Sequence, residues 1–123
     1  MGKGNNYLRK GNVVYIVKKR CKDCIDYQML EGKITRVGRK NVYLNNTPIE
    51  KNLIVDVFPT TDRERLEIWE NYFKEWKIWS EHLKKISKEI EVDEYRKFKE
   101  RVKQRIKEWI ELNEPPTPPY KQT

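Results

Sequence analysis

Cys21-Lys22-Asp23-Cys24 sets two thiols three positions apart, a spacing that lets both reach one metal ion from a turn. A tetrahedral structural site needs four ligands. The other soft candidate, the chain's one histidine, His82, stands far away in sequence. Two thiols at a hairpin between strands is the reading we prefer. A zinc site shared across a dimer and a redox pair stay open beside it. No apolar leader opens the chain, so a cytoplasmic setting with both cysteines reduced is expected. Catalytic groups are sparse. Ser80 and Ser87 fall in a helical stretch, no Gly-rich phosphate loop or acid pair stands out, and the later carboxylates alternate with lysines as on a solvated face. We expect no enzyme and no cofactor.

Basic residues are the stronger signal. The 123 residues carry 27 Lys and Arg against 19 Asp and Glu, a formal net charge of +8. Residues 1–59 hold 12 of the basic groups and 5 of the acidic ones, whereas residues 60–112 hold 14 and 13. The positive field therefore belongs to the first half, and such an imbalance favours a polyanion or an acidic protein surface as partner. Lys18, Lys19, Arg20, Lys22, Lys33, Arg36, Arg39 and Lys40 cluster at two turns and on the strand between them. On one rim of an antiparallel barrel they would track phosphates, with Tyr15, Tyr27 and Tyr43 as stacking platforms beside them. A solvated surface with half-buried tyrosines is the alternative.

The elements that must position these groups follow from patterning. From Lys10 to Phe58, short runs rich in Val, Ile, Tyr and Leu alternate with turn residues, which is the signature of strands. The expected strands are Asn12–Lys18, Ile25–Val37, Asn41–Asn45 and Leu53–Phe58, with Thr47-Pro48 as a break and Gly32 as a bulge or bend. Asn45-Asn46-Thr47 also matches a glycosylation acceptor, which means nothing without a secretory route. Residues 1–9 read as a flexible basic arm and residues 10–59 as the basic module. The predicted fold is α+β: a small antiparallel β-barrel followed by a two-helix amphipathic arm.

From Thr60 to Glu114 there is neither Gly nor Pro, and the apolar period lengthens to that of a helix. Thr61-Asp62-Arg63-Glu64 fits a capping box. Leu66, Trp69, Phe73, Trp76, Leu83 and Ile90 form one stripe, widened by Tyr72, Trp79 and Ile86. A second stripe of Tyr95, Phe98, Val102, Ile106, Trp109 and Ile110 is out of phase with it, so helices of about 61–91 and 93–112, the second capped by Asp93, should fold into a hairpin. Trp69, Tyr72, Phe73, Trp76, Trp79 and Trp109 then form either the seam of that hairpin or an aromatic face for a partner, a homodimer included. The tail, 113–123, is Pro-rich and holds overlapping PxxP patterns. No run approaches the roughly 20 apolar residues of a membrane span, so no membrane partner is expected.

Lys10-Gly11, the strand Val13–Val17 and the stretch Thr35–Leu44, with its Val-Gly-Arg-Lys turn, resemble small, mostly uncharacterised β-barrel proteins of phages and prophages of low-GC bacteria. The match covers about residues 10–44. It implies a Src-homology-3-like barrel and a phage setting, without an assigned activity. Charge and resemblance together favour a non-enzymatic accessory protein that binds nucleic acid. An inhibitor of a host defence or nucleic-acid-processing enzyme is the alternative, and a self-assembling structural protein a further one.

Overall fold

A computed structural model of the chain describes residues 7–93 and 99–119. Residues 1–6, residues 94–98 with the expected stripe positions Tyr95 and Phe98, and the end of the tail lie outside the described residues. The elements run β1 (Val13–Lys19), β2 (Tyr27–Val37), β3 (Asn41–Leu44), β4 (Thr47–Glu50), β5 (Ile54–Pro59), α1 (Arg63–Asp93) and α2 (Lys99–Leu112). The fold is α+β. All ladders are antiparallel, in the order β4-β3-β2-β1-β5. Among the described residues β4 and β5 share no ladder, so the sheet is open and the expected closed barrel is not formed.

Contacts divide the chain into two compact units, one reaching Glu67 and the other Ile68–Pro119. In the first, residues paired across strands project to the same side, so the register separates the two faces. Val14, Ile16, Ile34, Val42, Leu44, Ile49, Ile54 and Val57 form one buried cluster. Tyr7 and Leu8 pack against it, and Asn12 Nδ2 donates to the Tyr7 carbonyl at 3.1 Å. Tyr7 and Leu8, at the end of the expected arm over 1–9, are therefore held on the core, while residues 1–6 of that arm lie outside the described residues. Gly11 makes the bend into β1 at φ 96°, a conformation that suits a residue without Cβ.

Val17, Asp56 and Phe58 are buried on the opposite face, where the Tyr15 and Phe58 rings lie 5.4 Å apart. Arg65, from the opening turn of α1, reaches this face and places its Nε 3.0 Å from Asp56 Oδ2. A buried carboxylate needs such a partner, because taking an unpaired charge out of water costs several kcal/mol, about the stability of many small domains.

Strand β4 was hidden in the sequence behind Pro48. An edge strand tolerates proline because an outward-facing position has no ladder N–H to supply, and β4 is an edge. Asn45 and Asn46, at φ 49° and 67°, make the tight two-residue connection from β3 to β4. Gly32 is not a bulge, for it stays in register with Val14. Its missing Cβ makes room for Asn45: a Cβ there would stand 2.5 Å from Asn45 Nδ2. The Asn45 Oδ1 so admitted accepts from the Lys33 N–H at 3.0 Å.

Helix α1 begins at Arg63, two positions after the expected start at about 61. Asp62 Oδ1 accepts from the Arg65 N–H at 3.1 Å, so Asp62, and not Thr61, caps the helix. At its other end Asp93 lies in α1, and the start of the second helix, expected at 93, falls at residues outside the described ones. Within the second unit the helices run antiparallel. Trp79 packs on Trp109 at 6.0 Å between ring centroids, the Trp79 indole N–H donates to the Asn113 carbonyl, and Arg105 Nη1 lies 3.8 Å from Asp93 Oδ2. The rings of Trp69, Tyr72, Phe73, Trp76, Trp79 and Trp109 form an unbroken series of contacts along this unit. Trp69 and Tyr72 are buried, the other four half-buried.

Candidate nucleic-acid interface

The eight basic residues do not share one rim. Lys18, Lys19, Arg20 and Lys22 lie at the β1–β2 turn, whereas Arg39 and Lys40 lie at the β2–β3 turn. These turns occupy opposite ends of the 11-residue β2, and an extended strand of that length spans roughly 35 Å. Strand order, invisible in a charge count, splits the set into two groups.

At the first end the charge is partly cancelled. Arg20 Nε lies 2.6 Å from Asp26 Oδ2, and Asp23 stands in the same turn. Lys18 is half-buried in register with Ile54 and Gln28, on the side of the main core. Lys19 Nζ donates to the Lys22 carbonyl at 3.3 Å. Cys21 and Cys24 are joined in a disulfide, contrary to the expected reduced thiols. The turn brings their Cα atoms to 5.0 Å, inside the range a disulfide requires. Bonded sulfurs supply no thiolate, so in this state the pair is not half of a metal site. No group of three or more His, Cys, Asp or Glu able to hold a metal occurs among the described residues.

The second end is built differently. The β2–β3 register shifts between Ile34 and Arg36, so Ile34 opposes Leu44 while Arg36 opposes Tyr43. In a regular strand residues 34 and 36 would share a face. The extra residue, Thr35, instead sends Ile34 into the core and Arg36 out onto the face of Tyr43. Thr35 Oγ1 donates to the Tyr43 carbonyl at 3.2 Å and accepts from the Asn46 N–H at 3.0 Å, pinning the bulge to both sides of the β3–β4 turn.

Arg36 Cζ stands 5.3 Å from the Tyr43 ring centroid. At an exposed site such an arrangement contributes about 0.5–1 kcal/mol, enough to bias the guanidinium toward the ring. Pro48 opposes Tyr43 on the β4 side. Lys33 is exposed on the same face, one strand position before Ile34. The adjoining turn, closed by the Gly38 N–H on the Asn41 carbonyl at 2.8 Å, exposes Arg39 and Lys40. The Lys51 N–H donates to the Lys40 carbonyl at 2.9 Å, bringing a further cation to this end. Glu50, opposite Asn41, is the acidic neighbour.

Thr47-Pro48, expected as a break, is part of β4, and Lys51 gains its place at this end only through that strand. Asn45-Asn46 was the usable signal, since side-by-side asparagines favour the left-handed turns of short hairpins. Tyr15 lies against Phe58 and Tyr27 opposes Lys19, so neither belongs with Tyr43. The aromatic set on the helices forms the series described above. No helix among the described residues is long and apolar enough to cross a membrane. No family model, no curated protein and no solved structure matches this chain.

Proposed function

We propose that this protein binds single-stranded nucleic acid without catalysis, through the β2–β3 end of the sheet. Arg39, Lys40, Lys51 and Lys33 serve the phosphates, and the Arg36–Tyr43 pair receives an unpaired base. The observation that carries this reading is the bulge at Thr35, which sets an exposed guanidinium over a half-buried aromatic ring beside a cationic turn. A planar cation beside a π-face suits bases that have left the duplex stack. Lysine-rich surroundings add affinity through counterion release, with little sequence preference. With the resemblance of residues 10–44 to small phage barrel proteins, the chain reads as a phage-type accessory protein acting in a bacterial host.

Fluorescence anisotropy with a labelled oligothymidine tests the proposal. The logarithm of affinity should fall linearly with the logarithm of salt, with a slope of roughly −3 if four phosphates are neutralised. A duplex of the same length should bind more weakly. Affinity that does not change with salt, or no binding at low salt, would overturn it and favour an acidic protein surface as the partner.

A further inference from the structure

We infer that the Cys21–Cys24 tip is a thiol–disulfide exchange site, with an accessible thiol as its substrate and Cys21 as the sulfur attacked. The bond lies outside everything that holds the sheet together. The β1–β2 ladder ends at Lys19 opposite Tyr27, and the neck beyond it is held by the Arg20 N–H on the Asp26 carbonyl at 3.3 Å and by the Arg20–Asp26 ion pair. The tip has its own turn hydrogen bond, from the Cys24 N–H to the Cys21 carbonyl at 3.2 Å. Neck and turn together keep the two sulfurs near each other whether or not they are bonded.

A structural staple would look different. Bridging Cys21 to Cys24 closes a very short loop, and the constraint a disulfide puts on the unfolded chain grows with loop length. None of the buried core residues lies in the tip, and its Ile25 is 67% exposed. Cys21 is exposed while Cys24 is half-buried, which is the asymmetry of an attacked and a resolving sulfur. Solvent-accessible disulfides are the ones that exchange. Lys19, Arg20 and Lys22 surround the pair against Asp23 and Asp26, and the Lys19 ammonium lies across the tip on the Lys22 carbonyl. Cationic neighbours stabilise a departing thiolate.

The reaction balances with two external thiols. A first thiolate attacks Cys21 Sγ, the Sγ–Sγ bond breaks, and Cys24 leaves as a thiolate that takes up a proton. A second external thiolate attacks the reagent sulfur of the mixed disulfide and releases Cys21. Two electrons pass to the protein, and the two external thiols become one disulfide.

The test uses the full chain in glutathione buffers of graded ratio, quenched with a maleimide and read by mass spectrometry. Both cysteines should become alkylatable as the reduced fraction rises, with the far-ultraviolet circular dichroism unchanged. Cys24→Ser should accumulate glutathione on Cys21, and Cys21→Ser should acquire it at Cys24 about tenfold more slowly. A disulfide that resists excess reduced glutathione until denaturant is added, or whose reduction melts the sheet, would identify a staple. Equal rates in the two serine variants would remove Cys21 from its role.

Discussion

The Thr35 hydroxyl donates to the carbonyl of Tyr43 at 3.2 Å, and through this bond one residue governs which way its successor faces. Thr35→Val keeps the shape and deletes the hydroxyl, leaving the Tyr43 carbonyl and the Asn46 N–H to find other partners. Stability should drop by about 1–2 kcal/mol in urea denaturation. Oligothymidine affinity should fall with it, because Arg36 loses its fixed position. A variant that is less stable but binds as before would separate the bulge from recognition.

The two cationic ends should behave differently. Arg39→Gln and Lys40→Gln, made singly, should each lower the magnitude of the salt slope by about 1 and weaken binding to all sequences alike. Arg20→Gln and Lys22→Gln, at the far end of β2, should leave the slope unchanged. Tyr43→Leu should cost about 1–3 kcal/mol of affinity for single strands and little of the slope. Loss of affinity from Arg20→Gln equal to that from Arg39→Gln would mean that charge acts without regard to the bulge.

Asp62→Ala should destabilise the protein by about 1 kcal/mol, the usual cost of losing an N-cap acceptor. Thr61→Ala, one residue earlier, should be close to neutral. Thermal unfolding of the two variants side by side decides which of them caps α1.

The Asp56–Arg65 pair predicts a larger effect. The Asp56 side chain is 3% exposed and that of Arg65 21%. Arg65→Met should cost about 3 kcal/mol by removing the opposite charge from a buried carboxylate. Adding Asp56→Leu should recover most of the loss, since an apolar pair of similar volume avoids desolvating either charge. Urea titration of both variants reads the difference directly.

What could be read in advance depended on whether the information was local. Alternation in β1, the inward Val42 and Leu44 against the outward Tyr43, and the helical period after Pro59 are all patterns within a few residues, and each appears in the structure. The bulges are not local patterns. In β5 the register shift puts Ile54 and Val57 in the main core while Leu53 and Val55 stay half-buried, which departs from the simple alternation of a regular strand. The same blindness hid Arg36, which by simple counting belongs with Ile34. A basic residue can be counted, but the end of a strand on which it falls is a property of pairing. Asp56 gave no sign of burial either, because its partner comes from the next element.

All four tryptophans of the chain, Trp69, Trp76, Trp79 and Trp109, belong to Ile68–Pro119, while Tyr7, Tyr15, Tyr27 and Tyr43 belong to the unit with the sheet. All the indoles therefore sit on the helical unit. With Trp76 and Trp79 at 5.1 Å and Trp79 and Trp109 at 6.0 Å, excitation passes between neighbouring indoles, and separating α2 from α1 breaks the relay. The protein thus carries a built-in optical gauge, by which melting of the helical unit can be followed without a label while the strands are tracked in the amide infrared.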